Sequence, residues 1–324
     1  MTNKEIYAEW VKGQETLPLF MQPWWMDAVC AGKEWDVLLY PADAQRPEEV
    51  QAAMPVLKRK RWWMRYIVMP QQTQIGGIWK REVGKDERAL NDSEVAAGFA
   101  EQLKALKLQY YYQQYPIGSI YPALMHDIGF HVKERVTYRI DDLSNLDQVI
   151  DRFSKNKKRQ LQKALSLHAE RGKISAEEFY QFHTNCLLEQ RKRVSYSREF
   201  LLVLERKTQR NKCSEIITIH NADGEVYAAA FLVWDKKSLY YLIPTYSHEH
   251  RESGASALLV LEAIKFAREK GVAFDFEGSM LRGVASHYKQ FGPTPTRYYS
   301  VRKYYNPFFR LAIAWNYLRE WRMR

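Results

Sequence analysis

Cysteine is scarce: Cys30, Cys186 and Cys213 are the only three in 324 residues. Scattered and odd in number, they offer neither a disulfide framework nor a zinc-ligand spacing, and they fit core thiols in a reducing compartment. Long apolar runs are missing as well. None reaches the roughly 18 residues of a membrane span. The opening Met-Thr-Asn-Lys-Glu lacks the apolar core of a secretory leader, so the expected location is the cytoplasm. Disorder is excluded from the other side, because 46% of the residues are hydrophobic and 14% aromatic. Acidic residues are outnumbered, 38 against 49 basic, for a net charge of +11. Such a surface favours a polyanionic partner, whether nucleic acid, nucleotide phosphate or anionic lipid. Charge alone governs encounter and does not choose among them.

A chain of this length suits two domains, and its pattern repeats. Asp36–Tyr40, Val50–Leu57, a basic turn Lys58–Arg61 and an aromatic strand through Ile67 lead to Pro70. Later, Ile216–His220, Val226–Val233, a basic turn at Lys236-Lys237 and a second aromatic strand lead to Pro244. The recurrence predicts a duplicated fold. In the first copy a helix over Ser93–Lys107, capped by Asp92 or Ser93, precedes a strand Gln109–Tyr115. The second copy places a bulge at Pro244 and then a loop over Ser247–Ser256. The helix that follows has apolar positions Leu258, Leu259, Leu261, Ala263, Ile264 and Ala267 and stops at Gly271. A short strand from Val272 and a helix over Gly283–Gly292 close the copy. The domains are drawn at 1–143 and 144–306, with an amphipathic helix 307–324 that either docks on the core or lies in a membrane interface.

The loop before the second-copy helix carries Arg251-x-x-Gly254-x-Ser256. A glycine that lets the backbone close in, leading into a helix N-terminus, makes an anion site, because unpaired N–H groups and the dipole point the same way. An ordinary N-cap from Ser253 explains the same residues. The loop resembles the pyrophosphate loop of the GNAT acyltransferases. Together with Ser253-x-Ala255-x-x-Leu258-Leu259, Phe274-Asp-Phe-Glu-Gly-Ser279 and Tyr288-Lys289-x-Phe291-Gly292, it resembles the C-terminal half of the Fem-type aminoacyl transferases, a GNAT-related group. The basic segment Phe153–Ala164 is similar to one that family carries at the head of its second domain. The long helical arm of the best-known members has no room here, which puts in doubt the transfer RNA handling assigned to that arm.

The resemblance implies an α/β architecture of two tandem, duplicated GNAT-like domains, each a mixed twisted sheet flanked by helices, with the reaction centre in the second. It implies an acyltransferase that moves an aminoacyl or acyl group onto an amine of a cell-wall or related precursor. The donor, an aminoacyl-tRNA or an acyl-CoA, would be a co-substrate, with no tightly bound cofactor and no metal. An ordinary acyl-CoA-dependent N-acyltransferase and a non-catalytic RNA- or membrane-binding protein are the alternatives. Expected partners are a phosphate-bearing or lipid-linked precursor, tRNA, and peripheral contact with the inner membrane surface. Acyl transfer to an amine needs a proton acceptor and a cation or donor for the oxyanion. Lys289 is the candidate cation and Glu277 the candidate base. Arg251, Ser253, Gly254, Ala255, Tyr246 and Phe291 are expected to line the substrate groove. Lys157, Lys158 and Arg159 are expected to capture phosphate or to form a solvated connector. His248 and His250 read as polar loop residues.

Overall fold

The computed structural model describes residues 1–30, 34–81, 91–278, 282–306 and 309. In chain order the first elements are α1 (Asn3–Trp10), α2 (Pro23–Val29), β1 (Trp35–Tyr40), β2 (Ala52–Arg61), β3 (Met64–Val68), β4 (Trp79–Lys80), α3 (Asp92–Ala105), β5 (Tyr110–Tyr115), α4 (Tyr121–Asp127) and β6 (His131–Ile140). They are followed by α5 (Leu146–Asp151), α6 (Lys155–Lys163), β7 (His168–Arg171), α7 (Ala176–Glu189), α8 (Arg198–Arg210), β8 (Ser214–His220), β9 (Val226–Trp234), β10 (Ser238–Tyr246), α9 (Ala255–Lys270), β11 (Ala273–Asp275), α10 (Arg282–Lys289) and β12 (Thr294–Tyr304). Of the expected terminal helix 307–324, all but Phe309 lies outside the described residues. Two compact units result, one of Met1–Arg135 with Tyr298–Arg324 and one of Val136–Arg297.

In the first unit β1, β2 and β3 run antiparallel in sequence, and β3 pairs in parallel with β5. A parallel pair needs a crossover. α3 supplies it, burying Val95, Ala96, Phe99 and Leu103 at helical spacing. The helix opens one residue before the expected span and is capped by Asn91, whose Oδ1 accepts the Ser93 N–H at 3.1 Å, not by Asp92 or Ser93. Residues 58–61 are not a turn. They continue β2, and Trp62-Trp63 makes the turn. Beside β5 lies the last part of β12, antiparallel, from Tyr299↔Tyr115 to Tyr304↔Tyr110.

The second unit repeats the plan. β8, β9 and β10 are antiparallel, β10 pairs in parallel with β11, and α9 is the crossover. A register shift between Tyr240 and Ile243 puts a bulge just before Pro244. α9 is buried along most of its length, through Leu259, Val260, Ala263, Ile264 and Ala267, and ends at Gly271. Its partners in the core include Ile217, Leu232, Phe274 and Phe276. β11 stops after three residues because Glu277 and Gly278 both take left-handed backbone, φ +61° and +62°. Its antiparallel neighbour is the end of β6, with Phe274↔Ile140 and Asp275↔Arg139. The chain is thus an α/β protein in which one three-strand, helix, strand plan occurs twice.

Candidate active site

The sequence-predicted residues all fall in the second unit, around the two ends of α6 and α10 and the start of α9. Gly254 is the N-cap of α9, with φ +86°. A Cβ there would stand 2.0 Å from the carbonyl oxygen of Gln160. The close approach that Gly254 permits is therefore made to the backbone of α6, and the glycine is buried, not part of an open surface loop. Ser253 sits one position before the cap. Its Oγ–H donates to the His250 carbonyl at 2.7 Å, and its Oγ accepts the Ala255 N–H at 3.2 Å. Arg251 is exposed, with Nη1 2.9 Å from Nε2 of His248.

α6 is capped by Ser154, whose Oγ accepts the Lys157 N–H. Its start is tied to the end of α10, where the Ser154 N–H donates to the Gln290 carbonyl at 2.8 Å. On this helix Lys157 turns inward and is 2% exposed. Its ammonium donates to Gln160 Oε1 at 2.9 Å and to His287 Nδ1 at 3.4 Å, and lies 4.8 Å over the Phe291 ring. Burial without a carboxylate partner pushes Lys157 down to about 8. Lys158 instead pairs with Asp151 at 3.1 Å, and Arg159 is exposed. The three cations do not form one clamp.

His287 on α10 is pushed down to about 4 by burial and by the Lys157 charge, so it is neutral near pH 7. With Nδ1 accepting from Lys157, its proton belongs on Nε2, and buried Nε2 has no hydrogen-bond partner among the described residues. Tyr246 approaches the same ring, with centroids 6.2 Å apart, and burial moves its hydroxyl up to about 12. Phe291 is fully buried, packed on Phe153 and Phe276, and serves as the floor beneath Lys157.

Glu277 stands in the left-handed turn after β11. Asp275 fixes that turn, since it accepts the Glu277 N–H at 2.8 Å and Thr137 Oγ1–H at 2.5 Å on Oδ1 and Arg139 Nη1–H at 3.1 Å on Oδ2. Both oxygens of this fully buried carboxylate are occupied, which gives it a structural role. Glu277 Oε1, by contrast, is buried and has no hydrogen-bond partner among the described residues. Burial, with the Asp275 charge added, pushes its carboxyl well above the usual range. Tyr288 lies between this turn and the rest, with its ring 4.6 Å from that of Phe276 and 5.9 Å from that of His287. Tyr241, whose buried hydroxyl is also unpartnered, has its ring 6.1 Å from that of Phe276. Orphaned buried polar atoms are rare in proteins, and three in one neighbourhood mark a place shaped for a reactant.

Lys157, His287 and Tyr246 are thus neighbours, and Glu277 follows Phe276, whose ring packs on Tyr288 beside His287. Lys289 is exposed at the last turn of α10, its ammonium 6.0 Å over the Tyr138 ring, and no ion pair joins it to Glu277 among the described residues. Sequence reasoning gave no site role to His287 or Tyr241, and it read Tyr288 only as part of the Tyr288-Lys289-x-Phe291-Gly292 motif. The signal for the first was its place beside Tyr288-Lys289, two residues ahead of the lysine. A separate cavity of about 470 Å³, lined by Arg139, Asp141, Lys237 and Arg268 among others, holds none of the predicted site residues. No group of three or more metal-ligating side chains is found among the described residues, and no described helix is long and apolar enough to cross a membrane.

Residues 131–290 match the model of the acetyltransferase (GNAT) domain. Most of the second unit is thus a GNAT-type acyltransferase domain, and the plan that occurs twice in the chain is the fold of tandem GNAT proteins. It is similar to FemX, with a TM-score of 0.66 at 13% identity over 92% of this chain and 96% of that one. It is also similar to a tandem GNAT protein from the clavulanic acid biosynthesis pathway, with a TM-score of 0.56 at 12% identity over 94% and 95%. L-PGS from Bacillus licheniformis gives 0.51 at 15% identity over 84% of each chain. No curated protein matches. At these identities the likenesses speak for the fold.

Proposed function

We propose that the protein transfers an aminoacyl or related acyl group from an activated donor, an acyl-CoA or an aminoacyl-tRNA, to the amine of a phosphate-bearing cell-wall or lipid-linked precursor. The observation that carries this reading is a pair of unpartnered buried atoms, Glu277 Oε1 and His287 Nε2, on either side of Tyr288 inside the GNAT-type unit, with Lys157 and Tyr246 against His287. In its ionised form Glu277 takes the proton from the acceptor ammonium or from the attacking amine. A carboxyl raised by burial is a stronger base than one in water. The amine nitrogen attacks the acyl carbonyl carbon, and the oxygen takes on negative charge. The Lys157 ammonium and the His287 Nε2–H are the preorganised donors for that charge. Collapse of the intermediate forms the amide and expels the donor's sulfur or oxygen, which leaves with a proton.

Purified protein offered a panel of acyl-CoA species and of charged tRNAs, with amine acceptors, tests the reading. Turnover with one donor class and thermal protection by that class are expected. If neither class is turned over or bound, the chain is a binding protein and the proposal is wrong.

Two lysines compete for the cation's role, and their methionine variants separate them. Lys157→Met should lower turnover by about a hundredfold, because its charge acts in a desolvated place. Lys289→Met should lower it by less than about threefold. The reverse order would return the role to Lys289. Lys157→Met has a second signature. The folded pKa of about 8 lies below the ordinary lysine value of 10.5, so the folded state binds fewer protons between the two. Its destabilisation is present in full below about 8 and fades as pH climbs toward about 10.5. Wild-type stability should rise across that window, and the methionine variant should show no such rise.

A further inference from the structure

The turn between β2 and β3 has two residues, Trp62-Trp63, closed by the pair Arg61↔Met64. Such turns need left-handed backbone and are normally built from Asn-Gly, Asp-Gly or a leading glycine. Here Trp62 takes φ +55°. The two indoles are 75% and 65% exposed, and the Arg61 guanidinium lies 5.4 Å from the Trp62 ring. Folding gives no reason to put two large aromatics into water at a position that asparagine and glycine serve better. Places where local rules break are where function should be sought.

The surroundings say what the tip meets. Arg59, Lys60 and Arg61 lead into the turn on β2 and Arg65 leaves it on β3, half-buried or exposed. Lys58, one step further in, is neutralised by Asp36 at 2.6 Å. Side chains alternate along a strand, so these four cations leave from both faces of the hairpin and ring the indoles. A platform for stacked bases would gather aromatics and cations on one face. A ring around a protruding tip fits a plane, with indoles at the headgroup level and cations against anionic lipid. We infer that the Trp62-Trp63 hairpin docks the protein on an anionic bilayer surface. This contact is independent of the acyl-transfer reading and of residues 307–324.

Flotation or sedimentation with vesicles tests it, using phosphatidylglycerol and phosphatidylcholine in equal amounts against phosphatidylcholine alone. The full chain should bind the anionic vesicles preferentially, and brominated lipid should quench part of its tryptophan emission. Trp62→Asn/Trp63→Gly installs a favoured turn sequence and so keeps the hairpin folded. It should lower vesicle affinity at least about tenfold and abolish that quenching. Arg59→Gln/Lys60→Gln/Arg61→Gln should cost about a hundredfold, at about fivefold per cation, together with most of the salt dependence. Unchanged vesicle affinity in the tryptophan variant, equal affinity for neutral vesicles, or a loss confined to tRNA binding would overturn the inference.

Discussion

Glu277→Gln is expected to reduce turnover by two to four orders of magnitude while raising the thermal midpoint. The loss follows from the role of the carboxylate: glutamine keeps the shape and cannot take a proton, and general base catalysis is worth about 10²–10⁴. The gain follows from the environment. Oε1 is buried without a partner, and both burial and Asp275 disfavour the charge. A folded-state pKa above the unfolded one means that the folded state binds more protons between the two values. Below the ordinary carboxylate value both states are protonated and the group is neutral to stability. As pH rises through the window up to the raised folded value, the destabilisation grows. Near neutrality glutamine is spared it, and each kilocalorie recovered should add about 2–4 °C. Wild-type turnover should rise with pH as Glu277 ionises, and the variant should lack that rise at pH values below about 8, where Lys157 keeps its charge. A variant that keeps wild-type turnover, or that keeps the same pH profile, would remove Glu277 as the base.

The second large effect is on folding. Gly254→Val should destabilise the second unit by about 4 kcal/mol or more, from left-handed backbone at a β-branched residue and from overpacking against a rigid neighbour. The obstacle is a backbone oxygen 2.0 Å from the new Cβ, which no rotamer relieves. Even Gly254→Ala should lower the midpoint by several degrees. The motif alone suggests a different result, a folded protein that has lost its donor. A thermal melt distinguishes the two: a midpoint within about a degree of wild type for the valine variant would mean that α6 does not lie against Gly254.

That contrast shows where the sequence is legible. Hydrophobic spacing along α3 and α9, and the strand–helix–strand order repeated around them, are set by neighbours in the chain, so the duplicated α/β plan can be read directly. Pro244 announces its bulge for the same reason. What cannot be read is which element comes to rest on another. The arginine loop reads as an open anion site until α6 is seen over Gly254. Lys157, Lys158 and Arg159 look alike in a row of charges, yet packing turns one inward beside His287 and leaves its neighbours to Asp151 and solvent. Asp275 and Glu277 share a strand end, and only the contacts of Thr137 and Arg139 separate a pinned carboxylate from an unpartnered one. The Trp62-Trp63 turn was hidden behind four basic residues that read as the turn themselves.

The pairing of β5 with β12 has a consequence for the order in which the molecule can be made. Tyr115 waits for Tyr299, and at ribosomal rates of about 5–20 residues per second the intervening chain takes roughly 10–40 s to appear. The unit Val136–Arg297 is contiguous and can close while the first unit still carries a tyrosine-rich strand with one open edge. Such an edge is a template for pairing with another chain. The half of the protein synthesised first is therefore the last to finish folding, and during that interval a nascent chain is most in need of a chaperone.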